Sequence, residues 1–372
     1  MAAGRRLLRG LSTGLGICAL SLVVFELLLR VYNPIGLPVR GTQIVLPINK
    51  RIVFDNPIEN SKLDREIRLS YNSIGYRGPD PVPNPDEVYE IFTVGGSTTH
   101  SARQSDGIDW PAQLGAQLDR EFANTWVNNA GLEGHSTFGH RFLLEQDLLA
   151  RRPDMILFLI GLNDRGREQE RIWDVQQKPD EQALIDRLVA RSEVLSTALV
   201  LWRVRRAERQ GLRHFEFELD DLPVVDRSKE DPAAAVREMV EKGYVDAYRE
   251  RVRTLVRLCR EAGVEPVLVT QPVLFGDGID PRTGVEIGER DWGQGVSASL
   301  GWATLDAYNR VTLEVAAEEG VFAIDLASRV PRDSALYYDW VHFTNEGSRV
   351  VADQIAAALA PHLRQAPGIV RR

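Results

Sequence analysis

The chain has 372 residues, 44% hydrophobic and 26% charged, a globular composition that excludes a wholly disordered protein. A net charge of -8 and the lack of a long basic stretch exclude a polyanion partner, so no nucleic acid is expected. Cys18 and Cys259 are the only cysteines, and Cys18 falls in an N-terminal apolar run, which excludes an internal disulfide in the remainder and a cysteine zinc site.

Residues 10–29 form a nearly unbroken apolar run preceded by Arg5, Arg6 and Arg9. At about 1.5 Å per helical residue the run spans about 30 Å, the thickness of a bilayer core. The basic flank should stay in the cytoplasm, so residues 1–34 are expected to be an uncleaved single-pass anchor. The remainder then lies outside the cytoplasm, in the periplasm or at the cell surface. Cleavage is disfavoured because the small residues Ala19 and Ser21 sit mid-run, and Glu26 is expected at the outer interface.

Residues 35–86 are rich in Pro, Asn and Gly and predict a stalk with a few short strands. Beyond them the pattern alternates: strand 88–94, helix 110–122, strand 126–129, helix 138–150 and strand 155–160. It resumes with helix 245–261, strand 267–270, helix 304–319, strand 321–324 and helix 346–363. Such alternation implies a parallel sheet covered on both faces, and five strands fit a flavodoxin-like doubly wound sheet over residues 87–366. An insertion at 165–243 interrupts it. There Leu184, Leu188, Leu195, Leu199 and Trp202 share one face of an expected helix that packs on the main domain, with a mobile lid or a membrane-facing surface as the alternatives.

Four segments stand at or after these strand ends: Gly95-Gly96-Ser97-Thr98-Thr99, Asn129-Ala130-Gly131, Gly161-Leu162-Asn163-Asp164 and Asp339-Trp340-Val341-His342. In an open parallel sheet ligands sit beyond the carboxyl ends of the strands, so the four should meet at one edge. Serine needs a base to act as a nucleophile, and neutral histidine suits that task near pH 7. Asp339, three residues before His342, can fix the imidazole tautomer. The Ser97 N–H, the Gly131 N–H and the Asn163 amide can meet a tetrahedral oxyanion. A literal G-x-S-x-G at residues 10–14 lies in the apolar run and is discarded. His100, His135 and His140 lack metal-ligand spacing and are expected to be packed or surface histidines, while Cys259 is expected to be buried and inert.

In order and spacing the four segments resemble the SGNH/GDSL hydrolases, specifically a membrane-anchored member. The resemblance implies Ser97 as nucleophile, Gly131 and Asn163 as oxyanion donors with the Ser97 N–H, His342 as base and Asp339 as the third triad member. It also implies an ester or acylated-glycan substrate, a membrane contact through the N-terminal helix, and no metal or organic cofactor. Gly96 departs from the family, which has an acidic residue before the serine. The segment Asn72-Ser73-Ile74-Gly75-Tyr76-Arg77-Gly78 resembles a motif ahead of the domain in anchored members, and Arg77 is expected to hold a turn by a carboxylate or carbonyl contact, the alternative being that it reaches the site. The expected function is cleavage of carboxylic esters through an acyl-serine intermediate. The alternative is an O-acyltransferase or deacetylase acting on cell-envelope polysaccharide, because the triad does not encode the acceptor. A phosphate-cradling reading of residues 95–99 lacks the loop lysine and leaves Asp339 and His342 without a role.

Overall fold

The structure, a computed structural model, describes residues 2–32, 39–40, 43–44, 46–56, 58, 61–84, 87–169, 174, 191–209 and 216–372. The chain forms two compact units, residues 48–176 with 214–372, and residues 1–47 with 177–213.

The larger unit is built on β1 (Tyr89–Gly95), β2 (Thr125–Asn129), β3 (Met155–Ile160), β4 (Glu265–Thr270) and β5 (Ala323–Ile324). All six side chains of β3 are buried, which requires cover on both faces of the sheet. The five strands are parallel in the order β5-β4-β3-β1-β2, the doubly wound order expected from the alternation. Ile91 pairs with Met155 and Gly95 with Leu159, so β1 and β3 end side by side.

The helices are α1 (Trp110–Leu118), α2 (Thr137–Leu143), α3 (Tyr244–Glu261), α4 (Ala298–Glu319) and α5 (Asn345–Leu363). Trp110, Leu114 and Leu118 of α1 and Val351, Ile355 and Leu359 of α5 share a core with Ile91, Leu157 and Val267. Between α3 and α4, the Tyr248 and Tyr308 rings lie 4.9 Å apart. Two helices depart from expectation. The expected helix 138–150 becomes α2 followed by a π turn at Leu144–Leu148, and Arg152 ends it in the left-handed region at φ 53°. α4 starts six residues early because Ser297 caps it, its Oγ accepting the Leu300 N–H at 3.1 Å. Cys259 is buried in α3, and burial pushes its thiol up to about 12.

Of the expected stalk, the described residues within 48–84 belong to the larger unit. Strand Arg51–Asp55 pairs antiparallel with Glu66–Ser70. The Asn72 amide donates to Asn128 Oδ1 of β2 at 2.7 Å, and the Tyr76 hydroxyl donates to Asp147 Oδ2 at 2.7 Å. The insertion contributes helix Pro232–Glu241 to the same unit, capped by Asp231, whose Oδ1 accepts the Ala234 N–H at 2.9 Å. Leu184 and Leu188 lie outside the described residues.

In the smaller unit a helix does form over Ala2–Val31. Among the described residues, however, no helix is long and apolar enough to cross a membrane, which corrects the expectation of a transmembrane helix. The Glu26 carboxylate in this helix accepts from Ser192 Oγ and from the Glu193 and Val194 N–H groups, at 2.8, 3.0 and 3.1 Å. It thereby satisfies the start of helix Glu193–Arg209.

Candidate active site

β1 delivers the chain to Gly96, and Ser97 opens the short helical turn Ser97–His100. The Ser97 N–H, first in that turn, has no intrahelical acceptor. Ser101 ends the turn at φ 53°, its N–H donating back to Ser97 O at 2.8 Å. Ser97 Oγ lies 2.8 Å from His342 Nε2, and His342 Nδ1 lies 2.6 Å from Asp339 Oδ2. Burial works against ionisation of Asp339. The His342 imidazole and the N–H groups of Val341 and His342, each 2.8 Å from Oδ1, outweigh it, so the carboxyl sits below its ordinary range. An ionised carboxylate only accepts, so Nδ1 carries the hydrogen, and in the neutral imidazole Nε2 accepts from the Ser97 hydroxyl. The Tyr338 ring stacks on His342 with centroids 5.5 Å apart and planes 11° apart. The Tyr338 N–H donates to His342 O at 3.0 Å and closes this turn.

The 3-10 turn Leu162–Asp164 follows β3, and Gly161 enters it at φ 110°, where glycine is favoured. The Asn163 amide donates to His135 O at 2.9 Å, leaving its second N–H for another acceptor. Asp164 fixes this turn: its Oδ1 accepts from Thr137 Oγ1 at 2.5 Å and from Arg251 at 3.3 Å. Gly96 is explained by the same amide. A Cβ there would collide with Asn163 Nδ2 and sit 3.2 Å from His135 O, so an acidic residue before Ser97 does not fit this arrangement.

Gly131 also sits where a side chain cannot, since a Cβ would lie 2.8 Å from the Thr99 carbonyl carbon. Its N–H donates to Asn129 Oδ1 at 2.9 Å. This donor is therefore committed within the protein, and meeting an oxyanion requires it to share or release that bond. Asn129 is held in turn, its amide donating to Thr99 O at 2.7 Å and to Asp109 Oδ2 at 3.0 Å. Asn129 and Asp109 are supports that the motif reading does not flag.

Arg77 is buried behind the nucleophile turn. Its guanidinium donates to the carbonyls of His100 at 2.6 Å, Ser101 at 2.8 Å and Gln104 at 2.9 Å, and to Asp109 Oδ1 at 3.2 Å. It clamps a turn, as expected, and the turn is the one that ends the Ser97 helix. Arg77→Met is expected to cost about 3–5 kcal/mol, because it leaves a buried carboxylate and three carbonyls without their donor. Urea unfolding monitored by circular dichroism measures this, and a midpoint unchanged from wild type would contradict it.

The three neighbouring histidines are all buried. His100 lies 3.0 Å from the Tyr71 hydroxyl and 2.9 Å from Glu133 Oε1, while burial holds the His135 imidazole down at about 3 and lowers His140 as well. Ser97, Asn163 and His342 are half-buried amid this packed surround and so remain accessible to a ligand. No group of three or more potential metal ligands occurs among the described residues.

The chain is similar in structure to an acetylxylan esterase from Geobacillus stearothermophilus, at 17% identity and TM-score 0.42, covering 73% of this chain and 94% of that one. It is also similar to an alpha/beta hydrolase enzyme from the metagenome of Lake Arreo, Spain, at 16% identity and TM-score 0.42, covering 73% of this chain and 95% of that one. No curated protein matches the sequence. Residues 93–350, which contain Ser97, Gly131, Asn163, Asp339 and His342, match the model of the GDSL-like lipase/acylhydrolase family. The chain therefore belongs to the GDSL-like lipase/acylhydrolase family and is a hydrolase acting on ester bonds.

Proposed function

We propose that the protein cleaves carboxylic esters through an acyl-serine intermediate. The observation that carries this reading is the continuous relay from Ser97 Oγ to His342 Nε2 at 2.8 Å and from His342 Nδ1 to Asp339 Oδ2 at 2.6 Å. His342 takes the Ser97 proton as Oγ attacks the ester carbonyl, and the resulting imidazolium is stabilised by Asp339. The tetrahedral oxyanion is met by the Ser97 N–H and the free N–H of the Asn163 amide, with Gly131 as a third donor once it shares its bond to Asn129. His342 then returns the proton to the departing alcohol. Water, activated by the same imidazole, releases the acid and regenerates the serine.

Purified protein incubated with chromogenic short-chain and long-chain esters and with acetylated saccharides tests the reading. Burst release of alcohol followed by steady turnover is the expected result, and the absence of turnover on every ester would overturn it. Asn163→Ala is expected to lower kcat by roughly 10²–10³ with little change in KM, because its amide meets charge that develops only in the transition state. A raised KM at unchanged kcat would instead assign Asn163 to ground-state binding.

We also propose that the enzyme works outside the cytoplasm. Arg5, Arg6 and Arg9 ahead of the apolar run at residues 10–29 give the charge order of an exported chain, which supports this placement. Protease treatment of intact cells and of spheroplasts tests it: digestion only after lysis would overturn the proposal.

A further inference from the structure

One wall of the cleft beside Ser97 carries donors that the ester chemistry above does not use. Ser97, Ser101, Arg103, Gln104, Tyr338 and His342 are among the residues that line this cleft, and Gly131 and Asn163 are not. Arg103 Nη1 is shut off from solvent and has no hydrogen-bond partner, and no carboxylate pairs with Arg103 among the described residues. Gln104 is only 2% exposed. Its Oε1 accepts from Ser348 Oγ at 2.8 Å, while its Nε2 is buried without a partner.

Buried donors without acceptors are costly, and both of these belong to residues that line the same cleft in an acidic protein, which calls for an acceptor there. Neither is compensated within the fold. A carboxylate fits the pair, because its two oxygens match the planar guanidinium and can take the amide hydrogen as well. The position decides which part of the substrate carries it. His342 returns its proton to the departing alcohol, so the alcohol portion lies against the imidazole, and the cleft that holds Arg103 shares that imidazole. The acyl oxygen faces Asn163, which lies outside the cleft lining.

We propose, resting on the esterase reading, that Arg103 and Gln104 bind a carboxylate borne by the alcohol portion of the ester. The substrate class is thus an acylated hydroxy acid or acidic sugar. Arg103 sets specificity through direct contact with that carboxylate, and Gln104 supplies the second donor.

The experiment compares kcat/KM for meta-acetoxybenzoate and its methyl ester, which release the same acetyl group from an anionic and a neutral alcohol. Wild type is expected to favour the anion by about tenfold or more, Arg103→Gln to lose that preference, and Arg103→Lys to keep part of it, as charge without the guanidinium fork would. Calorimetric titration of the same three proteins with meta-hydroxybenzoate and its methyl ester reads binding without turnover, and the anion is expected to bind Arg103→Gln about tenfold more weakly than wild type. An anion-to-neutral ratio equal in wild type and Arg103→Gln, in rate or in binding, would overturn the proposal. If no ester is cleaved, these two and the panel above alike, the esterase reading fails, and the titration alone still decides the carboxylate site.

Discussion

Replacing Ser97 by alanine is expected to lower kcat by about 10⁶, with KM nearly unchanged. The size follows from what the hydroxyl does: it forms the covalent bond, and no neighbouring group is placed to substitute for it. Thr98, next in the turn, donates its hydroxyl to Gln271 Oε1 at 3.1 Å and is committed to that bond. Residual turnover reflects the oxyanion donors alone. A serine-directed organophosphate should modify wild type once, and peptide mass spectrometry should place the adduct on Ser97. An adduct on Ser101, which also lines the cleft, or full activity in Ser97→Ala, would reassign the nucleophile.

Asp339→Asn should cost about 10⁴ in kcat while leaving the fold intact. The carboxylate accepts from His342 Nδ1 at 2.6 Å, and an amide in its place can donate to that nitrogen. The imidazole would then carry its hydrogen on Nε2 and could no longer accept the Ser97 proton. The depressed Asp339 carboxyl also links folding to pH. Its stabilisation is complete above the unfolded carboxyl range and is lost as pH falls through the lower folded value, so the variant should show a shallower acid-side loss of stability. Kinetics at neutral pH and thermal melts across acid pH test the two parts separately. A loss of less than tenfold would show that His342 is oriented mainly by Tyr338 and the backbone.

The strands, their order and the three residues of the relay were legible in the sequence, because buried parallel strands are continuous apolar runs and the relay lies in the loops that follow their ends. What supports the relay was not. Arg77 was expected to hold a turn, but not that of the nucleophile, and Asn129 and Asp109 act through carbonyls and amides that are distant in sequence, where no periodicity marks a side chain that caps a remote turn. Asp164 stands beside Asn163 in the same motif, yet its bonds to Thr137 and Arg251 become visible only when three elements meet. The early start of α4 rests on the Ser297 cap and on Gly301, where a Cβ would press within 3.1 Å of Trp292, a packing that only the fold reveals. The apolar N-terminal run was legible as a helix, but the partners that Glu26 finds after residue 191 were not.

The Arg77 clamp bears on where this enzyme can be cut. The matched family segment begins at residue 93, well after the guanidinium that holds the carbonyls of His100, Ser101 and Gln104. A piece started at residue 87, just ahead of β1, would keep every group that touches the ester and yet leave those three carbonyls facing the interior, at about 1–3 kcal/mol each. The homology boundary and the folding boundary are therefore different places on this chain. Grafts and minimal versions should start at or before residue 48, and chimeras joined inside the intervening stretch must bring along the arginine that matches the recipient's nucleophile loop.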